Sequence, residues 1–299
     1  MSNSAQTKIC EEVTARIVSD LEQGRMPWEA PVFEGAIMPR NGRTGRGYRG
    51  MNVLFLWSAA HARGFTSNAW ITFRQVGELG GYVRKGERGT HVLFSAPIEK
   101  GAANEVEGNS TESRKFWLRR FYTVFNVAQC EGLPVDIDKA AVPLLGDFKS
   151  NERAEMLIHS SGAKVVTSDL GHPCYAPELD EIRLPRKELF KSEEHYYQAA
   201  LHELTHWSGA KARCGRDLSG RFGSRAYAAE QLVAELGAAF LCASLGLGYS
   251  TNHAAYISNW IELLREDSRA IFTAASLAQA AHDFILGCNG HASLQREAG

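Results

Sequence analysis

The chain has 299 residues, 44% of them apolar and 22% charged, with a formal net charge of −1. That length allows two ordinary domains with cores of their own, and the composition excludes a disordered or collagen-like chain. No run of about 18 uninterrupted apolar residues occurs, and MSNSAQTKICEEVTARIVSDLEQG at the start lacks the apolar centre of a secretory leader, so the expectation is a cytoplasmic protein with no membrane partner.

In chain order, Ile9, Val13, Ile17 and Leu21 give residues 5–23 a helical spacing. A Pro- and Gly-rich passage, 24–50, reads as loop with short extended pieces. Helices are expected over 52–62 and 72–79, the second closed by Gly80 and Gly81. THVLFSAPI and RRFYTVFNV alternate as strands do, with KGAANEVEGNSTES between them as a flexible hairpin loop. NERAEMLIHSSG reads as a helix with its Gly cap, followed by short strands in AKVVTS and DEIRLP. The next helix runs from about Glu193 to Trp207, with Ser192 as N-cap and Gly209 placed to end it. Further helices are expected over 225–245, 252–267 and 271–286. The fold class is α+β in two domains: an α+β front module (1–135), a linker (136–150) and a mostly helical back module (151–299).

Charge divides the chain in the same way. Residues 1–130 hold 17 Lys and Arg against 12 Asp and Glu, while the remainder holds 16 against 22. Within 35–94 nine basic residues face two acidic ones, Glu78 and Glu87. A basic front and an acidic back point to different partners. Cys10, Cys130, Cys174, Cys214, Cys242 and Cys288 show no CxxC spacing, which excludes a cysteine zinc site or a disulfide framework and leaves reduced thiols.

QAALHELTHWSGA places His202 and His206 four residues apart on one helix face, with Glu203 beside the first. Two neutral nitrogen ligands, and a carboxylate that takes the proton of a metal-bound water, are what a hydrolytic zinc site requires. The plain alternative is a helix with two histidines on its exposed face. A third ligand is available in AAEQLVAELGAAFLCASLG, where Glu230 and Glu235 both qualify but lie five apart and cannot share one direction. Glu235, among Val233, Ala234, Leu236 and Ala238, is favoured, because a carboxylate there needs a positive partner; a core ion pair is its other reading. Zn2+ is the expected metal, with Mn2+ or Ni2+ admissible in such a site.

In the front module RNGRTGRGYRGMN sets Arg40, Arg43, Arg46 and Arg49 three apart among glycines, with Tyr48 as a stacking candidate and Asn52 closing the segment. Downstream, Trp70, Phe73 and Tyr82 mix with Arg74, Arg84, Lys85 and Arg88. Aromatic rings among cations suit sequence-tolerant binding of single strands, since every base has a face to stack on. The competing reading assigns Phe55, Trp57 and Phe73 to the core, at helical spacings beside Leu54 and Val76.

The segments TGRGYRGMN, WITFRQVGELGGYVRKGERGT and FYTVFNVAQCEGLP resemble the N-terminal domain of plasmid antirestriction proteins of the ArdC type, which also fronts some conjugative plasmid primases. HELTHWSGA and YAAEQLVAELGAAFLCASLG resemble the zincin-like metallopeptidase domain of the same proteins, so the ordered set spans about Trp28 to Leu247. The resemblance implies a single-stranded-DNA-binding module joined to a metallopeptidase-like one, with a role in shielding incoming conjugative DNA from restriction. It carries the metal ligands onto His202 and His206, the catalytic glutamate onto Glu203, and the downstream glutamate onto Glu235. An alternative reading is a DNA-targeted metalloprotease that cleaves a host restriction or regulatory protein.

Overall fold

The apolar stripe of the first helix, α1 (Asn3–Glu22), buries Ile17, Val18 and Leu21. In the computed structural model, which describes residues 3–29, 38–98, 116–138, 149–169, 171–250 and 254–297, that stripe does not pack within the front module. It lies instead on a helix near the other end of the chain, Ala254–Glu266, and Thr14 Oγ1 donates to the Ser268 carbonyl at 2.7 Å.

The front elements follow as β1 (Arg40–Asn41), α2 (Met51–Arg63), β2 (Ala69–Thr72), α3 (Phe73–Glu78), β3 (Tyr82–Val83), β4 (Thr90–Ile98), β5 (Phe116–Asn126) and β6 (Cys130–Glu131). Strands β1, β2, β5 and β4 form one sheet in that order, with β1 parallel to β2 and the other pairs antiparallel. Strand β4 spans the expected residues, and β5 starts three residues before the expected strand. The loop expected over 100–113 lies outside the described residues. Two signals explain α2: Gly50 enters it at φ 56° and Gly64 leaves it in the left-handed conformation, both inaccessible without strain to a side-chain-bearing residue. Thr72 caps α3 by a reciprocal box with Gln75.

Helix α2 is buried on two sides. Leu56, Ala59 and Ala60 meet Trp70, Val92 and Val124 of the sheet. Met51, Val53, Leu54 and Trp57 turn the other way, into a core shared with the back module, where the Trp57 and Phe240 rings stand edge to face at 5.9 Å. The charge boundary near residue 130 is therefore not a core boundary. A domain over 1–135 with a core of its own was expected; α1, Trp28 and half of α2 belong to the larger core.

The back module contains α4 (Ser150–Ser161), β7 (Lys164–Thr167), β8 (Cys174–Ala176), β9 (Glu181–Leu184), α5 (Glu193–Ser208), α6 (Arg225–Leu245), α7 (Ala254–Glu266) and α8 (Ala270–Glu297). Strand β9 is central, parallel to β7 and antiparallel to β8. Ser192 caps α5 as expected, accepting from the His195 amide. Gly209 ends α5 in the right-handed region, at φ −74°, so left-handed freedom is not its purpose. A Cβ there would fall 2.8 Å from the Arg216 guanidinium and 2.9 Å from Leu218.

Helices α5 and α6 cross at close range. A Cβ on Gly237 of α6 would stand 2.5 Å from Thr205 Cγ2 of α5, the residue just before His206. By length and composition α6 and the Ala270–Cys288 part of α8 could each cross a membrane, but 83% of the apolar window of α6 is buried within the protein, which assigns it to the core. Gly237→Ala is expected to destabilise the fold by about 1–3 kcal/mol through overpacking, read as a lowered urea midpoint at unchanged slope.

Candidate metal centre and nucleic-acid interface

Helix α5 presents His202, Glu203 and His206 to an open cleft of about 700 Å³, whose lining includes Glu230 and Gln231 of α6, Cys174 and Tyr175 of β8, and Tyr227. The two imidazole rings stand edge to face with centroids 4.9 Å apart. His206 Nδ1 is 3.1 Å from Glu230 Oε1, and its Nε2 is 3.2 Å from the Gln231 amide nitrogen. One turn of α6 thus holds the second histidine from both sides.

Glu230 is largely buried rather than solvated. Its side chain is 12% exposed and receives Arg216, whose Nε lies 3.0 Å from Oε2 and Nη2 2.9 Å from Oε1. Burial works to raise the Glu230 carboxyl, yet the His206 and Arg216 hydrogen bonds outweigh it and keep the group below the usual carboxylate range. Arg216 also donates to the Thr205 carbonyl at 2.6 Å and to Ser208 Oγ at 3.0 Å, tying the end of α5 to α6.

Glu235 occupies a different place. It is 0% exposed and is absent from the cleft lining. Its Oε1 accepts from the Trp28 indole at 3.0 Å, and its Oε2 lies 3.6 Å from His202 Nδ1. The sequence favoured Glu235 for the cleft; the five-residue offset instead sends Glu230 to His206 and Glu235 behind His202.

Glu203 is almost wholly buried, and that burial raises its carboxyl above the ordinary range against the pull of His206, the Tyr175 backbone amide and His172. A carboxylate whose proton affinity is raised in this way is better suited to exchange protons with a water. Two imidazoles and the Glu230 carboxylate match by chemistry what a borderline divalent ion takes. They stand around the cleft without converging: among the described residues no three His, Cys, Asp or Glu side chains meet at ion-binding distance.

The basic front residues divide sharply. Arg40 donates to the Ile137 carbonyl at 3.0 Å, and Asn52 clamps the open edge of β4, giving to the Leu93 carbonyl at 2.8 Å and accepting from its amide at 2.7 Å. Asn52 therefore does for the edge strand what a neighbouring strand would do. Trp70 is 1% exposed and belongs to the sheet–helix core, so it offers no stacking face. Tyr48 is half-buried against the same cluster. Arg43 and Arg74 both pair with Glu78, and Arg49 pairs with Asp283 of α8. Arg46, Lys85 and Arg88 are exposed and, among the described residues, carry no ion pair.

Of the downstream rings proposed for stacking, Trp70 is buried but Phe73 and Tyr82 reach the surface, 68% and 58% exposed, against the competing core reading of Phe73. Register puts Phe125 opposite Ile71, and His91 opposite Thr123, on the sheet face turned away from α2. The Phe73 ring reaches Phe125 at 6.3 Å, so an aromatic surface continues from α3 onto the sheet.

An HExxH helix crossed by a carboxylate-bearing helix, behind a basic α+β module, defines a two-module protein with a zincin-like back half. Residues 152–277 match the family model of a zincin-like metallopeptidase, and residues 7–125 match that of the N-terminal domain of the anti-restriction factor ArdC. The antirestriction protein ArdC of plasmid R388 superposes with a TM-score of 0.77 at 36% identity, covering 94% of this chain and 98% of that one, in its metal-free structure. Its Mn(II)-bound structure gives 0.76 at 35%, covering 93% and 97%. Protein y4eC of Sinorhizobium fredii is 41% identical across 93% of this chain and 92% of its own length. The Escherichia coli DNA primase TraC is 36% identical across 92% of this chain, which spans 27% of that longer protein. The chain belongs to the ArdC antirestriction family.

The two aromatics on which the interface reading turns should separate cleanly. Trp70→Ala is expected to cost about 3–5 kcal/mol of stability by emptying a buried site. Phe73→Ala should cost less than about 1.5 kcal/mol, the worth of its pairing with Phe125. Urea unfolding of both variants reads the difference.

Proposed function

We propose that this protein coats single-stranded DNA through its front module and so protects incoming conjugative plasmid DNA from restriction, in the cytoplasm of the receiving cell. Its cleft serves as a divalent-metal hydrolytic centre. The observation that carries the second half is the grouping of His202, Glu203, His206 and Glu230 around one cleft. His202, His206 and Glu230 would hold the ion, zinc or manganese, with Glu235 supporting His202 from behind. When bound, that ion would lower the pKa of a coordinated water and polarise a carbonyl. Glu203, its carboxyl raised by burial, takes the proton of that water and returns it to the leaving nitrogen. Arg216 fixes Glu230, and Tyr227 lines the same cleft.

For the strand, Arg46, Lys85 and Arg88 supply uncommitted positive charge, while Phe73, Phe125 and Tyr82 supply faces for bases. Arg43 and Arg74 can join by exchanging Glu78 for phosphate. A second reading, a DNA-guided peptidase, draws support from β8. This strand pairs with β9 on one side, lines the cleft, and has its other edge open to an extended peptide among the described residues.

Glu203→Gln is expected to retain the metal, to lower any peptide hydrolysis by at least about 100-fold, and to leave protection intact in conjugation into a restricting recipient. Loss of protection in that variant favours the peptidase reading. The full chain should bind single strands more tightly than duplex, with affinity falling steeply with salt. Arg46→Ala with Lys85→Ala should lower affinity for all sequences alike and reduce the salt slope by about 1–2, measured by fluorescence anisotropy. An unchanged slope would place the strand on another surface.

A further inference from the structure

Trp28 precedes the sheet of the front module by sequence, yet its side chain is 0% exposed inside the back module. Its ring stands edge to face on Trp260 at 5.5 Å and 79°. Trp260 is anchored in turn, its indole donating to the Ala228 carbonyl of α6 at 3.2 Å. The Trp28 indole therefore has little freedom, and its one polar atom, the Nε1–H, points at Glu235 Oε1, 3.0 Å away.

Glu235 has apolar neighbours along α6 and no exposure. A carboxylate in such a place is costly unless each oxygen is occupied, and its orientation is set by whatever occupies them. One oxygen accepts from the indole, and the other lies 3.6 Å from His202 Nδ1, just beyond a direct hydrogen bond. A carboxylate behind the inner nitrogen of an imidazole fixes the ring's tautomer and direction, leaving the outer nitrogen for a metal.

We propose that Trp28 is a positioning residue of the metal centre: its indole N–H holds Glu235, and Glu235 holds His202. This rests on the reading of His202 as a metal ligand. The front segment thereby supplies a part of the site that the back module alone would lack. The sequence carried no sign of it, because 207 residues separate donor and acceptor.

The test is titration of the metal-depleted full chain with Mn2+ and Zn2+ by calorimetry, on the wild type, Trp28→Phe, Glu235→Gln and Leu21→Ala. Phenylalanine keeps an aromatic ring against Trp260 and removes the donor with the smaller ring that carries it. Leu21→Ala empties an equally buried site that has no link to Glu235. Trp28→Phe and Glu235→Gln should each weaken metal binding by about 10–100-fold, the usual effect of losing an outer support. The double variant should be no weaker than Glu235→Gln alone, since the two act in one chain of contacts. Leu21→Ala should lose thermal stability and keep its affinity.

Affinity in Trp28→Phe equal to wild type overturns the proposal, as does a loss that Leu21→Ala shares. A wild type that takes up neither ion overturns the ligand reading of His202 and the proposal with it. A further measurement needs no folded Trp28 variant: in the wild type the Trp28 indole proton resonance should move when metal is added. A resonance that stays fixed while metal binds means that Trp28 only packs, and the proposal falls.

Discussion

The close crossing of α5 and α6 is the constraint on which the cleft depends. Gly237 lets α6 press onto Thr205 at a distance no Cβ would permit, and Thr205 is the residue before His206. Because the helices touch there, a carboxylate near the start of α6 arrives at the second histidine of α5, and one five residues later arrives behind the first. Gly209 serves the same end. Its missing side chain admits the Arg216 guanidinium, which grips Glu230 and the last carbonyls of α5 together. Sterics, not electrostatics, set the geometry; the charges then pair where the backbones have placed them.

A second consequence concerns what a domain means here. Two family models divide the chain at about residue 125–152, and charge divides it in the same region. Packing does not. Helix α1 and one side of α2 are interior elements of the back module, and the Arg-Gly loop is held to α8 by the Arg49–Asp283 pair and by Gln279 accepting from the Gly50 amide at 2.8 Å. Of the regularly spaced arginines, Arg40 and Arg49 serve this internal joinery, and the exposed turn between them leaves Arg46 to solvent.

Much of the fold was legible because its signals are local. The apolar spacing of α1, the Ser192 cap and the alternation in β4 each lie within a dozen residues. Strands β1 and β2 were not legible: they are short, and their register depends on partners up to 56 residues away. The histidine pair could be read because helical spacing alone brings it together. Which carboxylate reaches which histidine could not be read, since apolar neighbours mark a buried glutamate whatever it faces. Composition likewise could not tell Trp70 from Phe73. One sits mid-strand under α2, the other opens a helix at the sheet's rim, and only tertiary placement separates them.

The shared core also makes the two ends of the molecule thermodynamic neighbours. A ligand that binds only the folded chain stabilises whatever unfolds with it. Trp28, Trp57, Phe240 and Trp260 share one apolar interior, so melting of the cleft would strip packing from α1 and α2 as well. A ligand bound at the front would therefore stabilise the cleft against local opening, and one bound in the cleft would stabilise the front, without any change of shape passing between them.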